Sequence, residues 1–464
     1  MNRYLGLLVG CLMLVPAVLP AAAARPRGAP AFSRAGFCRL NLSPNFRVDM
    51  GGYSDRLAKH TGVHDPIQVR AVVLAAGSQR VCIVGVDALL INRDLARAVK
   101  AAAAKATGIP EDAILICASH SHCAPYGYAS DLSPDPKKVD QRLAAHYREG
   151  LTAAIVRANR CLQPAEVAYQ VAQVTTMSHN RRSPNDPIDP ALGVLVVRSP
   201  RGKVLGGVVN FTAHPVIMGE GNLELSGEWP GAAMTALERQ VGGGSVFVFL
   251  QGCCGDVSID RHGSSWSEVA RVGGEMAALA AKLLPEAKCR PLRQVGAARL
   301  TTLVPAKPKA DPVRFAAQEQ ELAAKLAQAQ AAHAPADEVK ALQRQLDTVK
   351  AEATVLPHFE RLPRCAGTEI EIEASALRLN DTLVVGLGGE PFAQLGLDVK
   401  AGLPGFHTLV AAYCNDYVGY VPTRRGYQEG GYEAVTNRLA PGAGEAMAAL
   451  GVRAGKACTG KPER

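Results

Sequence analysis

The feature that most constrains this chain is a repeated pattern: short apolar runs that break off in residues able to bind a metal or move a proton. Leu115-Ile116-Cys117-Ala118 leads into Ser119-His120-Ser121-His122-Cys123-Ala124-Pro125, and Gly206 to Ala213 leads into His214-Pro215. Ser245 to Leu250 leads into Gln251-Gly252-Cys253-Cys254-Gly255-Asp256-Val257-Ser258. Thr382 to Leu387 ends in Gly388-Gly389-Glu390-Pro391, and Thr408 to Ala412 ends in Tyr413, Asn415, Asp416, Tyr417 and Tyr420. Bounded apolar runs of this length read as buried strands, and open α/β sheets place their ligand crevice at strand carboxyl ends. Five strand ends therefore converge on one set of polar side chains. In extended backbone His120 and His122 would point to the same side, so both could reach one metal, or one could bind and the other catalyse.

The runs are spaced by helical segments. Arg80 to Val86, a helix from Asp94 to Thr107 closed by Gly108 and Pro110, and the strand Ala113 to Ala118 make a strand-helix-strand unit, which implies a right-handed crossover and a parallel pair. Ile67 to Ala76 alternates like a strand, with His64 and Asp65 just before it; Asp140 to Ala158 is helical in period, and Val167 to Val174 is a strand leading to Asn180-Arg181. The fold class is α/β, a single large catalytic domain with a mixed or mainly parallel central sheet. From Val313 to Ala351 the composition shifts to Ala, Gln, Glu, Lys and Leu, with apolar residues on two helical faces around Ala334-Pro335-Ala336-Asp337. This predicts an inserted helical hairpin over 313–351, either a structural arm or a partner surface.

Residues 1–24 read as a secretory signal: Arg3, an apolar stretch from Leu5 to Leu19, then four alanines before Arg25. Leu8-Val9-Gly10-Cys11 resembles a lipoprotein box, but the apolar stretch runs on past Cys11, which favours a plain signal and an exported domain over 32–464. No later apolar run approaches the ~20 residues of a membrane span. The formal charge of +9 includes Arg3 and is otherwise spread along the chain; it suits solubility and peripheral contact with anionic surfaces, and argues against nucleic-acid binding. Of twelve cysteines, eleven lie beyond the signal, so at least one thiol is unpaired within an oxidised chain; Cys82 and Cys117, inside apolar runs, read as buried small hydrophobes.

Two imidazoles and a carboxylate, His120, His214 and Glu390, form the ligand set of many catalytic zinc sites, in which zinc activates water and polarises a carbonyl. The spacing is no compact signature, so a serine or cysteine nucleophile stays open on these grounds. Gly-x-Ser-x-Gly is absent, which disfavours an α/β-hydrolase elbow. Cys123 beside His122, or the vicinal Cys253-Cys254, are weaker candidates, because adjacent cysteines in an exported chain more often pair or pack.

Seven blocks in register carry a family resemblance: Gly62-Val63-His64-Asp65-Pro66, Ser119 to Pro125, Asn180-Arg181, Asn210-Phe211-Thr212-Ala213-His214-Pro215, Gly255-Asp256-Val257-Ser258, Gly389-Glu390-Pro391-Phe392 and Asn415-Asp416-Tyr417-Val418-Gly419-Tyr420. From about Phe37 to Tyr432 the chain resembles the neutral, non-lysosomal ceramidases, zinc amidases that split ceramide into sphingosine and a fatty acid. The resemblance implies zinc held by His120, His214, Glu390 and the phenol of Tyr420. It implies that His122, Arg181 and Tyr432 face the scissile amide and that Ser258 lies near the site. The departures are Cys123-Ala124-Pro125 where the family has Ser-Gly-Pro, Ile259-Asp260 after Ser258, the hairpin, and an expected lack of the immunoglobulin-like domain that follows in established ceramidases. The expectation is a zinc-dependent hydrolase of ceramide or a related N-acyl lipid. The alternatives are an amidase of the same chemistry for a non-lipid N-acyl substrate, and a non-catalytic exported binding protein, against which the complete ligand set argues.

Overall fold

The computed structural model describes residues 33–53, 56 and 58–460. The signal segment 1–24 and Cys11 lie outside the described residues. Three sheets share one architectural device. In the first, β1 (Ser33–Asn41), β2 (Gln68–Ala76), β3 (Gln79–Val86) and β4 (Ile114–Ala118) lie in the order β4-β3-β2-β1, with Gln163–Pro164 beyond β1. In the second, β5 (Glu166–Gln173), β6 (Ala191–Arg198), β7 (Val204–Phe211) and β8 (Val246–Gln251) lie in the order β8-β7-β6-β5. The third runs β9-β10-β11-β12 from Val295–Pro305, Glu369–Leu379, Thr382–Leu387 and His407–Ala411.

The α/β class and the mixed sheet are as expected, but the long strands are divided over three sheets in which most neighbours run antiparallel. In each sheet one long-strand pair is parallel: β3 with β4, β7 with β8, β11 with β12. Two parallel neighbours end on the same side, so each such pair brings two carboxyl-terminal loops together. Those loops carry the polar residues. β2 is buried along nearly its whole length and is apolar except at Gln68 and at Arg70, which pairs with Glu238, whereas β5 and β9 alternate and keep one face toward solvent.

The three sheets are sewn together where these pairs end. The Ala118 amide donates to Tyr413 O at 3.2 Å, the Asn415 amide to Ile116 O at 2.9 Å, and the Ala412 amide to Gln251 O at 2.8 Å. The buried Gln251 side chain donates to both Ser119 O and Ala213 O. Gly85 in β3 meets β8 so closely that a Cβ there would lie 2.5 Å from Phe249 O, so the sheets can approach only at a glycine.

Helices cover the outer faces. α1 (Arg93–Thr107) and α2 (Gln141–Arg160) lie together, with α2 against β1 and β2; α3 (Glu228–Val241) and α4 (Trp266–Leu283) cover the second sheet around Trp229, Phe247 and Met276. Asp140 caps α2 by accepting from the Leu143 amide. The predicted hairpin is present as α5 (Pro312–Ala331) and α6 (Ala336–Phe359), joining β9 to its antiparallel neighbour β10. α6 runs eight residues past the predicted end at Ala351 and takes in Pro357 near its end. After α7 (Ala393–Ala401), the short helices α8 (Arg424–Glu429) and α9 (Tyr432–Val435) border the site, and α10 (Ala443–Ala457) lies on the third sheet. No helix among the described residues is long and apolar enough to cross a membrane.

Candidate active site

His120 follows β4, His214 follows β7 and Glu390 follows β11, and the three side chains meet although each comes from a different sheet. His120 Nε2 lies 3.1 Å from His214 Nε2, and Glu390 Oε2 lies 3.4 Å from each. Each ring is anchored through its other nitrogen: His120 Nδ1 to Leu89 O at 2.7 Å and His214 Nδ1 to Cys254 O at 2.6 Å. A carbonyl accepts only, so Nδ1 carries the proton and Nε2 turns its lone pair inward. Lone pairs and a carboxylate facing one another in a buried pocket repel unless a cation sits among them, which is the donor geometry a divalent metal fits.

His122 joins the cluster, its Nε2 3.3 Å from His120 Nε2, and the three imidazoles form a buried group that could hold a metal ion. The two histidines do not meet through strand periodicity as expected. His120 has φ 64, in the left-handed region, and the chain turns at His122-Cys123, so a local turn brings the rings together. Such strain at a non-glycine residue persists only where surrounding contacts hold it. Here they do: Arg56 Nη1 donates to His122 O at 2.7 Å, and Gly52, with φ 98, leaves room for the His122 ring where a Cβ would lie 2.4 Å away. The Tyr53 ring sits edge-on at 5.0 Å. His122 Nδ1 is buried without a hydrogen-bond partner.

Burial sets the protonation states. It pushes the His122 pKa well below its ordinary value, with the neighbouring His120 and His214 adding to the effect, and it lowers His214 to about 4, helped by the Arg181 charge. Burial alone would raise Glu390, but His120 and His214 hold it well below the usual carboxylate range. The resting site therefore contains neutral His122 and His214 rings and an ionised Glu390 carboxylate.

Tyr420 is the parallel partner of Glu390 in a two-residue ladder, and its hydroxyl accepts from Arg181 Nη2 at 3.2 Å. Arg181 also reaches Gly255 O at 2.6 Å and Glu433 Oε1 at 2.9 Å. Burial opposes its charge, but Tyr420 and Glu433 outweigh burial and hold its pKa up. Tyr432, 65% exposed, stands at the rim with its ring 5.6 Å from that of Tyr420. Ser258 lies beside His214 through a parallel backbone bridge. All eight residues singled out in the sequence thus lie in one neighbourhood.

Two contributors appear in the sequence only as members of a polar strand end. Tyr413 stacks on His120 with ring centroids 4.1 Å apart, and its hydroxyl donates to Glu390 Oε2 at 3.3 Å. The Tyr417 hydroxyl donates to the other carboxylate oxygen. Their spacing from Tyr420 was visible, but which tyrosine faces the carboxylate depends on the turn, where Tyr413 and Asn415 both have positive φ. His64 and Asp65 turn elsewhere: His64 stacks on Trp266 at 3.9 Å, and Asp65 accepts from the Gly227 amide and the Ser226 hydroxyl. Burial pushes the thiols of Cys123, Cys253 and Cys254 well up, which keeps them protonated and poor as nucleophiles.

Residues 43–271 match the family model described as neutral/alkaline non-lysosomal ceramidase, N-terminal. Neutral ceramidase B of Dictyostelium discoideum is 25% identical over 248 residues, 47% of this chain, and the match spans about a third, 34%, of that relative's length. Among solved structures, neutral ceramidase from Pseudomonas aeruginosa superposes with a TM-score of 0.75 at 21% identity, covering 94% of this chain and 76% of that one. A ceramidase complexed with C2 superposes at 0.74 with 20% identity and the same coverage.

Proposed function

We propose that this chain, whose residues 43–271 match the neutral/alkaline non-lysosomal ceramidase model and whose fold matches that of neutral ceramidase, is a zinc-dependent amidase acting on ceramide or a related N-acyl lipid. One observation carries the reading: His120 and His214, each anchored through Nδ1, aim Nε2 at one another and at Glu390 Oε2. Imidazole and carboxylate donors suit zinc, and Tyr420, beside Glu390, offers a further oxygen. When bound, the ion supplies a Lewis acid that polarises the amide carbonyl and lowers the pKa of water toward neutrality.

The chain's own residues do the rest. His122, kept neutral by burial, takes a proton from the attacking water and returns it to the leaving nitrogen. Arg181, kept charged by Glu433 and Tyr420, presents its donors to the developing oxyanion. Tyr432 at the rim orients the leaving amine, and Ser258 borders the same pocket from the His214 side.

A groove of about 610 Å³ opens from the rim, walled by Thr348, Ala351 and Val355 of α6 and by Tyr432 and Val435 of α9. It shares Tyr432 with the site and is of a size to hold an alkyl chain, which makes the arm a guide for substrate entry. The amino-terminal segment supports export, and the distributed positive charge supports transient contact with anionic lipid surfaces. Metal analysis of the purified protein, beside an amidase screen over ceramides, N-acyl amino acids and peptides, tests the reading. Stoichiometric zinc with turnover of ceramides is expected; protein with neither metal nor turnover would leave a binding role.

A further inference from the structure

Cys117, the fourth residue of β4, and Cys414, three residues beyond β12, face one another across an isolated antiparallel bridge that joins the first and third sheets. The flanking hydrogen bonds define the type of pair. The Asn415 amide donates to Ile116 O and the Ala118 amide to Tyr413 O, so neither cysteine's own amide bonds across the bridge. This is the non-hydrogen-bonded kind of antiparallel pair, with Cα atoms about 4.5 Å apart and side chains close on one face. Disulfides need Cα separations of roughly 4.4–6.8 Å, a range that includes the spacing typical of such pairs. The two sulfurs also share a neighbour: Cys117 Sγ lies 3.2 Å and Cys414 Sγ 3.3 Å from the same oxygen, Ala412 O.

We infer that Cys117 and Cys414 are an oxidisable pair whose disulfide fastens β4, and with it the His120 turn, to the segment that carries Tyr413 and Tyr417. Formation follows thiol–disulfide exchange. One thiolate attacks a small disulfide such as oxidised glutathione and releases one reduced glutathione; the second thiolate displaces the other. Each protein thiol loses one proton and one electron, and the oxidant gains both pairs. Both sulfurs are buried in the closed fold, and burial keeps Cys414 protonated, so the bond forms as the sheets come together. The link closes most of the chain into one loop and restricts the unfolded state accordingly.

The test is refolding of the fully reduced chain in a glutathione redox buffer, followed by alkylation under denaturing conditions without reduction and peptide mapping. A linked species containing Cys117 and Cys414 that separates on reduction is expected. Alkylation of both cysteines in the folded product, or a link from either to Cys253 or Cys254, would overturn the inference. As a second readout, a phosphine reductant should lower the Tm of the refolded protein by several degrees and leave a Cys117→Ala, Cys414→Ala double variant unmoved. An equal response in both proteins would also overturn it.

Discussion

The buried cluster of histidines and Glu390 and the helical arm meet at Tyr432 but are built in opposite ways. His120, His214 and Glu390 come from three sheets, are at most 2% exposed, and are each held by a contact remote in sequence: Leu89 O, Cys254 O and the hydroxyls of Tyr413 and Tyr417. The arm contributes to its groove from successive turns of α6, much of it exposed, and is tied down at few points: the Gly431 amide donates to Thr348 Oγ1, and Lys307 pairs with Glu352. A site assembled from distant elements tolerates almost no change, because each ligand's orientation depends on its own supporting contact. One amphipathic helix on the surface can be altered turn by turn with little consequence for the fold.

That contrast breaks most sharply at the ligands. His120→Ala and His214→Ala should each abolish metal retention and activity, as read by elemental analysis and amide turnover; metal at wild-type occupancy in either variant would remove that histidine from the ligand set. His122→Ala should keep the metal and lose roughly 100-fold or more in kcat, the scale of a lost proton-transfer group. Loss of the ion as well would make His122 a ligand, which its position 3.3 Å from His120 permits.

Support for Glu390 comes next. Tyr417→Phe deletes one hydrogen bond to the carboxylate and should weaken metal affinity about 10-fold to 100-fold in a chelator competition, with the fold intact by circular dichroism. An unchanged affinity would show that Tyr413 alone suffices.

A pH experiment sharpens the same point in chelator-treated protein. The pKa of His214, about 4 in the fold, lies below the 6.5 of the free side chain. Between those values the unfolded chain takes up a proton that the folded chain refuses, so the stability held above pH 6.5 declines as pH falls toward 4. Denaturant midpoints that stay flat across this window would mean the imidazole titrates normally in the fold.

The smallest effects belong to the arm. Ala351→Trp or Val355→Trp, filling the groove beside Tyr432, should change the preference among long-chain substrates severalfold while leaving metal content and the hydrolysis of a small chromogenic amide alone. Unchanged chain selectivity in both variants would assign the groove another role.

The sequence by itself determined the elements and the chemical inventory. The apolar runs ending in His120, His214 and Glu390, the glycine after α1 and the apolar faces of the arm are local patterns, and local patterns are what hydrophobic periodicity and helix-stop chemistry encode. Tertiary structure alone decided the rest. No residue pattern announces that the long strands divide into three sheets, because that depends on which strand edges pair at long range. The left-handed turn at His120, the choice of Tyr413 and Tyr417 over other tyrosines as partners of Glu390, and the meeting of Cys117 with Cys414 arise only when those sheets close on one another. Each is fixed by contacts between residues far apart in the chain, whose geometry no local preference can specify.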